Sequence, residues 1–216
     1  PLIQGEIKKM PFVLVGIALT AASFLFAWTA FSRAFVVSLL ALLVAGFIYN
    51  VRPVRTKDIP FLDSISESAN NPIRFLIGWH AFAPPDLFPP ASLLFSWWSF
   101  GNFLMTAKRL SEFRLLKEKA ADYRLSHKRY SPKLLLFGMV SSAAVFLASF
   151  FYFVLAHRLR NFLVTTPVLL LYLFLFFRKT LEEQEIMEEP ESLLRNRGIA
   201  LVTIVLLALF ALCIFL

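Results

Sequence analysis

The sequence predicts an all-α fold, a polytopic bundle of about seven membrane-spanning helices, and three observations point there. Hydrophobic residues make up 58% of the 216, with 25 phenylalanines, more apolar surface than a water-soluble domain of this size hides. Apolar runs recur along the chain at about the 20 residues that one bilayer crossing needs. Basic residues then gather in alternate connections, the pattern that sets membrane orientation.

The candidate spans run over roughly 11–31, 34–50, 60–83, 87–107, 134–156, 161–177 and 199–216. Ser32-Arg33 leaves room only for a tight turn, so the first two spans form an antiparallel pair. One set of connections holds Lys8, Lys9, Arg52, Arg55, Lys57, nine cations within 108–133, Arg178, Lys179, Arg195 and Arg197. The opposite set holds Arg33, Arg158 and Arg160. The basic set belongs in the cytosol, at a cytoplasmic membrane. The net charge of +8 is therefore topological, and no nucleic-acid partner is expected. A single cysteine, Cys213, excludes internal disulfides, and three histidines without zinc spacing offer no metal site.

The third span is unusually polar. Asp63, Glu67, Asn70 and Arg74 recur at steps of four, three and four, which puts them on one helical face. Ionised groups facing lipid cost several kcal/mol each, so this face looks into protein or water. It is either a set of mutually neutralised charges or the wall of a substrate cavity, with a bend expected at Pro72. In the fourth span Ser92, Ser96, Ser99, Asn102 and Thr106 form a milder stripe. Small polar residues of this kind also serve plain helix packing.

Three cytosolic loops carry the remaining chemistry. In 49–63, Arg55 and Lys57 lie between Pro53 and Pro60, a stiff setting for a phosphate clamp, although membrane anchoring explains the same cations. The longest polar stretch, 108–133, repeats apolar residues at Leu110, Phe113, Leu116, Ala120 and Tyr123, which predicts an amphipathic helix serving as a cytosolic lid. Within it, Lys108, Arg109 and Glu112 are one turn apart. They form either a surface ion-pair ladder or a phosphate- and metal-handling group, with Arg124 and Tyr130 on the closing half. The glutamates of 178–198, including Glu182, Glu183 and Glu185, read as a solvated charge run.

These residues together resemble the UbiA superfamily of intramembrane prenyltransferases over essentially the whole chain. Residues Pro1–Ile7 resemble the stretch after that family's first aspartate-rich motif, and Tyr49, Lys57, Pro60 and Asp63 resemble its loop into the next helix. The resemblance implies nine helices in the full-length family, with Mg²⁺ and a (di)phosphate held between two polar motifs in a cytosol-facing pocket. It thereby implies one transmembrane domain over 1–216 that lacks the first two helices, with the main Mg²⁺ motif expected upstream of Pro1. The second motif departs from the common paired aspartates. Lys108-Arg109-Leu110-Ser111-Glu112, then Arg124 and Tyr130, is similar to the decaprenyl-phosphate phosphoribosyltransferase branch, as are Pro72–Gly78 and Glu189-Pro190-Glu191. Asn196 stands where that branch tends to carry an aspartate. The stretch Arg52–Ser66 looks equally like members that prenylate aromatic or carotenoid acceptors.

The expected function is thus Mg²⁺-dependent transfer of a prenyl or phosphoribosyl group from a pyrophosphate donor to a polyprenyl phosphate or aromatic acceptor. The expected site assigns Asp63, Glu112 and Lys108 to catalysis, with Asp63 and Glu112 linked to metal. Tyr49, Arg55, Lys57, Arg74, Asn102, Arg109, Arg124 and Tyr130 are expected to bind substrate. A non-enzymatic lipid-binding protein or transporter is the competing class; a transporter needs polar access from both faces, and the opposite loops are nearly apolar.

Overall fold

The computed structural model describes residues 8–84, 86–182 and 196–215. Pro1–Ile7, Glu183, Glu185 and Glu189-Pro190-Glu191, singled out above, lie outside the described residues. The described chain is helical: α1 (Lys9–Ala30), α2 (Arg33–Asn50), α3 (Leu62–Ser68), α4 (Asn70–Phe82), α5 (Ala91–Leu116), a four-residue α6 (Ala120–Tyr123), α7 (Pro132–Ala156), α8 (Thr166–Glu182) and α9 (Arg197–Phe215). Among these residues five stretches are long and apolar enough to cross a membrane: Lys9–Ala30, Arg33–Asn50, Pro132–Ala156, Arg160–Glu182 and Arg197–Phe215.

Two expectations need correction. The third span is not one helix over 60–83 but two, interrupted at Ala69. Pro72 is the cause, acting one turn upstream: it lacks the N–H that would bond the Ser68 carbonyl, and its ring crowds that carbonyl. The 108–133 stretch is not a separate amphipathic lid helix either. Its first nine residues are the final turns of α5, which stops where Lys117 takes a left-handed φ of 47°. A strap of short turns over 117–131 follows, ending where the Ser131 side chain accepts from the Leu134 N–H and caps α7.

The chain divides into two compact units, Pro1–Val44 with Ile73–Pro89, and Ala45–Pro72 with Pro90–Leu216. In the first, α1 exposes nearly every residue, as a lipid-facing helix does. The turn after it is set by Phe31 stacked on Phe35, ring centroids 4.2 Å apart. Trp79 Nε1 donates to the Leu87 carbonyl at 2.8 Å, tying Leu87 to α4.

In the second unit α5 and α7 form the central pair. Their facing side chains, among them Phe103, Ala107, Leu110, Leu135, Met139 and Phe146, are buried in one core with Leu169, Leu173 and Phe176 of α8. The two helices approach closely at Gly138, where a Cβ would stand 3.3 Å from Thr106 Cγ2 and 3.2 Å from the Phe61 ring. Arg114 of α5 donates to the Thr180 carbonyl at 3.3 Å and to that of Leu181, satisfying the carbonyl end of α8. Cys213 is buried beside Asn161, its thiol 3.4 Å from the Asn161 carbonyl.

Candidate functional site

The site lies wholly within the second unit and is built from the C-terminal ends of α2 and α5, the loop and helix α3 that follow α2, and the strap. At its centre is Arg109, the largest fully buried side chain among the described residues. Its guanidinium spreads three ways: Nε to Asp63 Oδ2 at 3.1 Å, Nη1 to Glu112 Oε1 at 2.8 Å, and Nη2 to Glu67 Oε2. The side chains of Arg109, Asp63 and Glu112 are 0% exposed, whereas that of Glu67 is 26% exposed. Three carboxylates converge on one cation because α3 places Asp63 and Glu67 a turn apart while α5 places Arg109 and Glu112 a turn apart.

The strap closes the network from its other side. Ser126 Oγ donates to Asp63 Oδ2 at 2.9 Å, and His127 Nε2 lies 3.0 Å from Glu112 Oε2. Tyr130 donates its hydroxyl proton to Asp63 Oδ1 at 2.5 Å and accepts from the Phe61 N–H at 2.6 Å. That acceptance steadies Phe61, which opens α3 at a φ of 64°, a conformation that costs a non-glycine residue energy. Burial, and after it the neighbouring Asp63 carboxylate, push the Tyr130 phenol well above its ordinary range, so Tyr130 remains a proton donor across the physiological range. Arg124 Nη1 donates to the Tyr49 hydroxyl at 3.1 Å, and Tyr49 donates to Glu67 Oε2 at 2.8 Å.

The expected site residues therefore divide. Tyr49, Asp63, Arg109, Glu112, Arg124 and Tyr130 are brought into one connected set. Arg55, itself at a φ of 33°, pairs with Asp58 at 2.9 Å. Lys57 Nζ donates to Asn50 Oδ1 at 3.2 Å. Among the described residues no acidic side chain pairs with Lys57 or with the half-buried Lys108. Arg74 falls in the other compact unit, on α4 beyond the break, and is exposed, so the predicted four-residue face ends at the Ala69 interruption. Asn196 accepts from the Gly198 N–H at 3.0 Å, capping the first turn of α9.

Magnesium at Asp63 and Glu112 does not fit this arrangement. Every oxygen of both carboxylates already accepts a hydrogen bond or faces a cation, and among the described residues no group of three His, Cys, Asp or Glu side chains is arranged to hold a metal. For the same reason Arg109, with Nε and both terminal nitrogens directed at carboxylates, is not presented to a phosphate.

Two turns back along α5 lies a second polar feature. A cavity of about 310 Å³ is lined by Phe95, Trp98, Ser99, Asn102, Ser142 and Val145, among others. Asn102 Nδ2 donates to Ser142 Oγ at 2.8 Å, tying α5 to α7, while its Oδ1 is buried without a partner. Three of the other stripe hydroxyls are spent on their own helix: Ser96 on the Ser92 carbonyl, Ser99 on that of Phe95 and Thr106 on that of Asn102.

Sequence reasoning missed the roles of Ser126 and His127. Both reach the network from a non-periodic strap, where spacing carries no signal. Glu67 was visible in the polar stripe, but its partner was not.

A multi-helix membrane protein with a buried charge network at one end of its central helices is the class that fold and site define. A family model described as the UbiA prenyltransferase family matches residues 1–197. The chain belongs to that family, and is an integral-membrane protein of the prenyltransferase class. No curated protein matches it.

Proposed function

We propose that this chain forms the catalytic bundle of an integral-membrane transferase that moves a group from a pyrophosphate donor to a lipid or aromatic acceptor at the cytosolic face. The observation that carries the reading is the convergence of α2, α3, α5 and the strap on one network, on the same stretches of chain as Lys57 and Lys108, which no described carboxylate pairs. A departing pyrophosphate gains negative charge as its bond to carbon breaks, and positioned ammonium groups stabilise that charge. Lys57 and Lys108 take this role, with the partly buried Arg124 beside Glu112. Asp63, Glu112 and Arg109 act as positioning groups that hold α3, α5 and the strap in register. Mg²⁺ would be held chiefly by the donor's own phosphates, where it would offset their charge. The apolar helices exclude water from the electron-poor carbon until the acceptor captures it.

The favoured branch is phosphoribosyl transfer from phosphoribosyl pyrophosphate to a polyprenyl phosphate. Its support is the likeness of Lys108-Arg109-Leu110-Ser111-Glu112, Arg124 and Tyr130 to that branch. Prenylation of an aromatic acceptor is the second reading, favoured by the aromatic-lined cavity whose free acceptor, Asn102 Oδ1, suits a phenolic hydroxyl. The test is transfer by the protein in lipid with Mg²⁺, offering each donor with each acceptor class. Product from phosphoribosyl pyrophosphate is expected, with Lys57→Ala and Lys108→Ala each lowering kcat/KM by roughly 10²-fold. Product only from a prenyl pyrophosphate and a phenol selects the second reading. No transfer to either acceptor class overturns both.

A further inference from the structure

We infer that Arg109 is the resident cation of the Asp63–Glu67–Glu112 carboxylate cluster, occupying the seat a divalent metal would take, and that this cluster binds no metal in the native protein. The inference concerns the chain without substrate and holds whichever group the enzyme transfers.

Geometry makes the first argument. A guanidinium presents its N–H donors in a planar fork, so it engages several carboxylates at ordinary hydrogen-bond lengths. Arg109 does so with Nε and both terminal nitrogens, at 3.1 Å to Asp63, 2.8 Å to Glu112, and to Glu67. Magnesium instead demands near-octahedral oxygens at about 2.0–2.1 Å and retains several waters. The side chains of Arg109, Asp63 and Glu112 have no exposure at all, so neither the ion nor its waters find room without expelling the guanidinium.

Charge and the outer partners make the second. Three carboxylates face Arg109, and Glu112 Oε2 also has Arg124 Nε at 3.7 Å. Most of the negative charge that would attract a divalent ion is thus already offset. Further donors reach the same carboxylates: Tyr130 and the Ser64 N–H on Asp63 Oδ1, Ser126 on Asp63 Oδ2, His127 on Glu112 Oε2 and Tyr49 on Glu67 Oε2. Such donors orient a carboxylate toward whatever cation it serves. Here that cation is covalently part of the chain. Removing the guanidinium while keeping the carboxylates would convert the cluster into an open acidic cage.

The experiment reads metal at the cluster directly. His127 touches Glu112, whereas the chain's other two histidines, His80 and His157, do not. In the full chain in nanodiscs, labelled only at histidine and without pyrophosphate, Mn²⁺ broadens the NMR signal of any histidine beside a bound ion. The wild type is expected to show no selective broadening of His127 relative to His80 and His157. The Arg109→Ser variant, in the same titration, is expected to show severalfold selective broadening of His127 and a melting temperature that rises with added Mg²⁺. Selective broadening of His127 in the wild type overturns the inference, as does a folded Arg109→Ser protein that gains no ion. If Arg109→Ser does not fold, the wild-type spectrum decides alone. Because no donor or acceptor is present, a failed transfer assay leaves this result standing, and the reverse holds too.

Discussion

The C-terminal end of α5 and its middle are both polar, yet they are built to opposite rules. Around Arg109 every oxygen of Asp63 and Glu112 is engaged and the strap seals the set. Two turns away Asn102 spends one half of its amide on Ser142 and leaves the other half, buried, without a partner at the wall of a cavity. A closed network in a low-dielectric setting holds segments in one arrangement. An unpaired buried acceptor instead costs stability in the empty protein, a cost that a ligand donor recovers. The first region therefore holds its segments together, whereas the second leaves a buried acceptor unspent.

The sharpest way to break this contrast is Arg109→Leu. It strands three carboxylates, two of them wholly buried, and is expected to destabilise the second unit by about 3–5 kcal/mol, because uncompensated buried charges are costly. Thermal unfolding in detergent measures this; a variant that melts like the wild type would show that the network does not hold α3 to α5. Gly138→Leu comes next. It drives a side chain into Phe61 and Thr106, and overpacking of this kind costs about 1–3 kcal/mol, read in the same assay.

Tyr130→Phe removes one hydroxyl that serves both Asp63 and the Phe61 N–H, at an expected cost of about 1–2 kcal/mol. Its pH signature is separable. The folded Tyr130 phenol titrates above the unfolded one, so its contribution is fully present below about pH 10 and is lost as pH rises beyond that. Between neutrality and alkaline pH the wild type should lose more stability than Tyr130→Phe; parallel curves would remove Tyr130 from the network. The smallest stability effect is expected at Asn102→Leu, within about 1 kcal/mol of wild type, because an unpaired acceptor disappears along with the Ser142 bond. Transfer assays should nonetheless show a raised KM for the acceptor substrate. Unchanged kinetics would make the cavity a packing gap.

Much of the fold was legible in the residues. The composition and the recurrence of apolar runs are additive properties, which depend on each residue's transfer energy and not on its partners, and they determined a multi-helix membrane protein. The Arg109–Glu112 pair was legible for the same local reason, since residues three apart on a helix are neighbours. What spacing could not decide was the direction in which each charge faces. Asp63 meets Arg109 across 46 positions and Tyr130 across 67, and His127 joins from a strap with no period. Only the tertiary structure turned candidate metal ligands into partners of a buried guanidinium, because ion pairing at close range depends on coordinates that hydrophobic periodicity does not encode.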